Sequence, residues 1–176
     1  MNSPVPLQIA IAGFDLTGTI NRMNVFETVP TQVSHVIPTT TAGGVLGSTW
    51  GVNLDWEVNS QVPGAPHGGL FLPLQYQISV LLEGFGPGAN EFSLPATPFI
   101  VNYGPAVGLT PGGTFVSPTV RTWSISIPFT PPVVTIPPGL YKLGVVLQLF
   151  TPGAAPTPQP VAGFVEGPLV QFFQPS

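Results

Sequence analysis

Apolar and polar residues alternate along most of this chain with a period of two. Between Trp50 and Asn59, every second residue is Trp, Val or Leu, and the residues between them are Gly, Asn, Asp or Glu. Successive side chains of a β-strand point to opposite faces, so this pattern predicts a strand with one buried face and one polar face. The same alternation predicts strands in three further segments: Leu74–Glu83, Thr122–Phe129 and Tyr141–Phe150.

Weaker versions of the pattern predict the remaining strands. They lie at Leu7–Ala12, with an extension toward Ile20, and at Thr31–Ile37, Pro98–Tyr103 and Phe164–Phe173; Asn24–Val29 is either another strand or the lead-in to one. No segment has the spacing of an amphipathic helix, and Pro and Gly recur too often for a long helix. Segments rich in Pro and Gly predict turns between the strands: 60–69, 84–98, 104–118, 131–139 and 151–160.

Together these elements predict an all-β fold. Seven to nine strands with turn-rich connections predict a single antiparallel β-sandwich, and a jelly roll is the alternative. No connection is long enough to link two domains and no internal repeat is present, so residues 1–176 are predicted to form one domain with Pro-rich segments at both ends.

One segment suggests which sandwich this is. Gly139-Leu140-Tyr141-Lys142-Leu143 resembles the start of the penultimate strand in immunoglobulin-like domains, where a Gly-x-Tyr-x-Cys pattern forms a tyrosine corner. Leu143 takes the place of the cysteine, and Trp56 is similar to the core tryptophan of those domains. The resemblance implies an immunoglobulin-like Greek key and no particular activity. The chain contains no cysteine, so the disulfide of such domains cannot form.

Charge is unusually scarce. Only 6% of the residues are charged, against about 25% in an ordinary soluble domain. A folded monomer of this mass exposes roughly 8,000 Å², which leaves one charge per roughly 800 Å², the share that one partner contributes to a standard interface. Because desolvating charge is what makes surface burial costly, this surface is suited to being covered. Three scattered cationic residues and a net charge of −4 predict no nucleic-acid partner, and no apolar run is long enough to span a membrane.

The sequence offers little catalytic chemistry. His35 and His67 are predicted to be a hydrogen-bonded strand histidine and a solvated loop histidine, and no nucleophile elbow is present. Asp55 and Glu57 share the outward face of one strand, a spacing that suits a cation or acid/base work but also arises on any solvent-facing strand. We therefore predict no catalytic residue, no metal site and no cofactor, and we expect that the protein is not an enzyme.

Apolar residues outside the predicted core are more informative. Trp50, Trp56 and Trp123 fall on the apolar faces of their strands and are predicted to be buried. Other apolar residues lie in loops or on the nominally polar faces, and the adjacent pair near the C-terminus must point one ring away from the core. The candidate interface residues are Phe71, Leu81, Phe85, Phe92, Phe115, Val146, Phe150, Phe172 and Phe173.

These observations favour a non-enzymatic structural protein that assembles with itself into an oligomer, filament, tube or shell. The alternative is a glycan-binding or adhesion module carried by a larger assembly, such as a virion or a secreted appendage. The first residues lack the basic start of a signal peptide, so we expect cytoplasmic synthesis, with later incorporation into an extracellular or virion assembly left open.

Overall fold

The chain folds into β-strands that form two packed sheets. The computed structural model describes residues 4–9, 16–39, 49–60, 75–86, 90–102, 113–117, 120–129, 136–151, 153 and 155–174, and none of these residues is helical. Seven strands are long: β3 (Leu16–Glu27), β5 (Trp50–Ser60), β6 (Gln75–Gly84), β7 (Glu91–Asn102), β9 (Val120–Phe129), β10 (Gly139–Phe150) and β11 (Pro158–Phe173). Four are short: β1 (Val5–Pro6), β2 (Gln8–Ile9), β4 (Val36–Pro38) and β8 (Thr114–Phe115).

The order of the strands confirms the predicted β-sandwich. Sheet A has the order β1-β3-β5-β9-β8, and sheet B has the order β2-β11-β10-β6-β7, with β4 beside β11. The long strands pair antiparallel throughout, whereas β4 and β11 pair in parallel, which makes sheet B mixed. In a constant-type immunoglobulin domain the fourth strand pairs with the fifth. Here the fourth long strand, β7, pairs with the third, β6, so three long strands face four.

The strongest sequence patterns are confirmed, and the boundaries of the weaker ones move. The four alternating segments form β5, β6, β9 and β10, and Asn24–Val29 is mostly the end of β3. The turn predicted over 84–98 is wrong in its second half, because β7 begins at Glu91 and runs through two prolines. β7 is an edge strand of sheet B, where a residue that lacks an N–H group is tolerated.

Aromatic residues fill the centre of the sandwich. Trp56 and Trp123 stack with ring centroids 5.4 Å apart, and Tyr76 meets both edge-on at 5.2 Å and 5.3 Å. All three tryptophans are buried, as predicted. Trp56 lies on the second long strand, whereas the core tryptophan of immunoglobulin domains lies on the third. Tyr76, on β6, contributes the buried aromatic ring of the third long strand here.

The start of β10 has the geometry of a tyrosine corner. The hydroxyl of Tyr141 donates a hydrogen bond to the carbonyl oxygen of Pro137 at 3.0 Å, four residues upstream. Burial raises the pKa of the Tyr141 phenol above its ordinary value of 10.0. Leu143, at the position of the missing cysteine, is fully buried. This end of β10 is therefore fixed by packing and one hydrogen bond without a disulfide.

Candidate interaction surface

The outer face of sheet A is a ladder of polar side chains that bind one another. Asn53 is its most buried member: its amide nitrogen donates to Asn24 Oδ1 at 2.8 Å and to the carbonyl oxygen of Pro30 at 2.7 Å. Its side-chain oxygen accepts a hydrogen bond from Ser126 Oγ at 2.7 Å. These groups therefore satisfy one another's hydrogen-bonding capacity within the chain.

The two predicted neighbouring carboxylates belong to the same ladder. Asp55 pairs with Arg22, whose Nε lies 2.7 Å from Oδ2, and it also accepts a hydrogen bond from Ser124 Oγ at 2.7 Å. Glu57 accepts a hydrogen bond from Asn21 at 3.2 Å. In the described part of the chain, no three His, Cys, Asp or Glu side chains lie close enough to hold a metal ion. These contacts give both carboxylates a structural role on the sheet surface.

His35 stands apart from this face. His35 lies just before β4, and its backbone carbonyl oxygen accepts a hydrogen bond from the Gln171 amide at 2.8 Å. Its side chain is exposed. His67 lies outside the described residues.

One end of the sheet A face is covered by the chain itself. Phe26 pairs with Gly51, and its ring occupies the space above that glycine, yet it is only 1% exposed. The cover is the segment 28–34, which we call the covering segment. Asn53 binds the backbone of this segment at Pro30, and a β-bridge joins Phe26 to Val33.

The outer face of sheet B is different, because its apolar side chains are uncovered. Ten large hydrophobic residues are exposed in the described part of the chain, and none of them lies on the outer face of β3, β5 or β9. Seven lie on the outer face of sheet B or at its ends: Val36, Phe85, Ile100, Leu140, Phe164, Leu169 and Phe173. The apolar exposure of this molecule is therefore concentrated on one side.

A groove lies toward the end of this face at which β10 begins. Phe164, 50% exposed, projects its ring above Gly144, where an added Cβ would lie 3.1 Å from the ring and 3.7 Å from Leu81 Cβ. Phe164 pairs with Val146 across the β10–β11 ladder. Phe164, Gly144 and Leu81, together with neighbouring side chains, line an open groove of about 450 Å³.

Charged residues border the groove on one side. Glu83 lies opposite Glu91 in the β6–β7 ladder and opposite Lys142 in the β6–β10 ladder. The Lys142 ammonium lies 3.6 Å from a carboxylate oxygen of Glu166. Three carboxylates and one ammonium give this rim a net charge of −2. We call these four residues the acidic rim.

Most of the described interface candidates lie on this side of the molecule. Leu81, Val146 and Phe150 are half-buried on the outer face of sheet B, and Phe85 and Phe173 are exposed at one end of it. Phe92 is half-buried and packs edge-on against Tyr141 at 6.0 Å.

The other candidates have different outcomes. Phe172 is wrong as an interface residue: it is 2% exposed and packs between Trp50 and Tyr141, at 5.1 Å and 5.5 Å. In the adjacent pair Phe172 and Phe173, the ring of Phe173 is the one that points away from the core. Phe71 lies outside the described residues, and Phe115 lies in β8 with a side chain outside the described part.

Five of the seven exposed residues of this face were not among the predicted interface residues: Val36, Ile100, Leu140, Phe164 and Leu169. Leu140 was assigned only to the tyrosine-corner segment, and Phe164 and Leu169 were assigned only to a strand. Phe164 and Leu169 are five residues apart, so strict alternation would put them on opposite faces. A register shift in the β10–β11 ladder, where Lys142 pairs with Leu169 and Gly144 with Glu166, puts both on the outer face.

No family model matches the chain, and the searches of curated proteins and of solved structures also found no match. Among the described residues, no helix has the length and apolar character needed to cross a membrane.

Proposed function

We propose that this chain is a non-enzymatic structural protein whose copies associate with one another. The observation that carries the proposal is the contrast between the two outer faces: seven of the ten exposed large hydrophobic residues lie on or beside the face of sheet B. Exposed apolar residues concentrated on one face are typical of interaction sites in soluble proteins.

The scarcity of charge supports the same proposal. The outer face of sheet B contains one cluster of charges, the acidic rim, and its other polar side chains are mainly Gln and Ser. Neutral polar groups lose less solvation free energy on burial than ions do, so covering the part of this face outside the acidic rim removes apolar area from water at small electrostatic cost.

The mass of the protein in solution tests the proposal. We expect size-exclusion chromatography with light scattering, at micromolar protein concentration, to give a multiple of 18.4 kDa. Association should persist at roughly 0.5 M salt, because screening weakens only attraction between charges and the acidic rims carry like charge. An 18.4 kDa monomer over the whole concentration range, or dissociation by salt, would contradict the proposal.

A glycan-binding or adhesion module is the second candidate, and one observation favours it. Phe85 is the most exposed aromatic side chain of the described residues, at 56%, and it lies just beyond β6 at the end of the sheet B face. Substituting Phe85 by Ser distinguishes the two functions. Loss of glycan binding with unchanged molecular mass would favour the adhesion module, whereas no glycan binding by either protein would exclude it.

A further inference from the structure

We infer that two copies of this chain pack the outer faces of their sheets B together, with their strands antiparallel across the interface and Val146 of each copy at the two-fold axis. The inference rests on the proposed function and names its interface. The area of this face, the state of the other surfaces and the position of the acidic rim support it.

The face has the size that a stable dimer needs. Four long strands spaced about 4.8 Å apart give a width of about 19 Å, and ten residues per strand at about 3.4 Å give a length of about 34 Å. The product is about 650 Å² per copy, or about 1,300 Å² for a pair, within the roughly 1,200–2,000 Å² of standard interfaces.

The edges of the sheets are poor alternatives. Four strands lie at the ends of the two sheet orders. β1 and β8, at the two ends of sheet A, contain two residues each. A third, β2, is equally short, and β7 contains Pro95 and Pro98. Short strands and residues without an N–H group hinder the addition of a further strand. Association through these four strands is therefore disfavoured.

The outer face of sheet A is also a poor alternative. Its buried Asn53 and its Arg22–Asp55 pair already have hydrogen-bonding partners, and the covering segment lies over Phe26. Covering this face would remove little apolar area from water, because none of the ten exposed large hydrophobic residues of the described chain lies on the outer face of β3, β5 or β9.

The acidic rim decides the direction of the axis. Two faces that meet through a two-fold axis must have that axis in the plane between them, and in the aligned class of sheet packing it runs either along the strands or across them. An axis along the strands places the rims of the two copies opposite each other, −2 against −2. An axis across the strands moves them to opposite ends, and Lys142 then faces Phe150 of the second copy. Because like charges repel when buried together, we infer the axis across the strands.

The pairing between the copies follows from the register within one copy. Ser79 lies beside Val146, near the middle of the face, and Glu83 and Gln75 lie four residues from it in opposite directions along β6. An axis across the strands at this row places Glu83 of one copy opposite Gln75 of the other. It separates the two Glu83 residues by about 27 Å, given the rise per residue of a strand.

Single cysteines test this geometry cleanly, because the natural chain has none. Packed sheets lie about 10 Å apart, so a bis-maleimide with a reach of about 10 Å is the suitable probe. We expect crosslinked dimers from Val146→Cys alone and from a mixture of Glu83→Cys with Gln75→Cys. We expect none from Glu83→Cys alone or from Ser124→Cys, a matched exposed position on sheet A.

The outcomes separate the inference from the proposed function. Crosslinking of Glu83→Cys alone would overturn the axis direction, and crosslinking of Ser124→Cys in place of Val146→Cys would overturn the face, while self-association itself would stand in both cases. A monomer in light scattering would overturn the proposed function as well.

A pair of charge substitutions provides an independent readout. Phe164→Glu should weaken self-association at least tenfold, whereas Val116→Glu, at an exposed apolar position beyond β8, should leave it unchanged. Circular dichroism must show that both variants are folded. Leu169→Glu provides a second disruptive variant if Phe164→Glu does not fold, since its carboxylate would lie beside Lys142. Equal affinity for the natural chain and the folded sheet B variants would contradict the inference.

Discussion

Both sheets place an aromatic ring over a glycine on their outer face, but only one of these rings is covered. Phe26 lies over Gly51 on sheet A and is 1% exposed, while Phe164 lies over Gly144 on sheet B and is 50% exposed. A ring can fill the gap that a missing side chain leaves in a sheet. The comparison shows that the local arrangement does not decide its own burial: the covering segment does so for Phe26, and no described segment does so for Phe164.

The side chains next to Phe26 include polar groups, whereas those next to Phe164 are apolar. Polar groups next to Phe26, chiefly Asn53, bind the backbone of the covering segment. Next to Phe164 lie Val146 and Leu81, which have no polar side-chain atoms to bind a returning loop. One face is thus completed within the chain, and the other is left for a second copy, as we propose.

Truncating the two rings should produce the largest contrast. Phe26→Ala should lower the free energy of unfolding by about 3–5 kcal/mol, because it removes a fully buried ring. Phe164→Ala should lower it by about 1 kcal/mol, since the ring is half exposed, and should instead weaken self-association. Urea unfolding at low protein concentration measures both values. Equal losses would show that the two rings are equivalent within one copy.

Adding a methyl group under each ring should produce the next largest contrast. In Gly51→Ala the new Cβ would overlap the Phe26 ring and the carbonyl oxygen of Ile127, so we expect a loss of about 3 kcal/mol. In Gly144→Ala the nearest atom belongs to Phe164, which has room to move, and we expect less than about 1 kcal/mol. Thermal unfolding followed by circular dichroism compares them. A larger loss at Gly144 would contradict the described packing.

Removing the polar contact to the covering segment should have an intermediate effect. Asn53→Ala leaves Ser126 and the Pro30 carbonyl without their hydrogen bonds to Asn53, and we expect a loss of about 2 kcal/mol. Gln77→Ala is the matched control, a half-buried amide on the outer face of sheet B. It should change stability by less than about 0.5 kcal/mol. Chemical denaturation measures both. If Asn53→Ala left the free energy of unfolding unchanged, the covering segment would have to be held in another way.

Relieving backbone strain in the covering segment should have the smallest effect, and in the opposite direction. Thr28 has a φ of 66°, a conformation that β-branched residues rarely adopt, whereas Asn adopts it more readily. Thr28→Asn should therefore raise the free energy of unfolding by about 0.5–1 kcal/mol. Differential scanning calorimetry would detect the increase, and a decrease would indicate that the threonine side chain contributes more than its strained backbone costs.

The sequence predicted some strands more accurately than others, and the reason is physical. β5 and β9 alternate cleanly because one face meets the core and the other is polar, so their side-chain directions were predicted correctly. β7 begins before its two prolines, which a sequence pattern treats as breakers. β11 changes phase at its register shift, so alternation could not predict that Phe164 and Leu169 share a face.

The sequence by itself determined the class of fold, the scarcity of charge and the presence of apolar residues on the nominally polar faces of the strands. Each follows from the composition or from the alternation of apolar and polar residues. Both can be read from residues that are close together in the sequence. Only the tertiary structure decided which apolar residues are covered: Phe26 and Phe172 are buried, and Phe164 and Leu169 are not. Burial depends on which distant segment lies over a side chain, and that is a property of the folded chain as a whole.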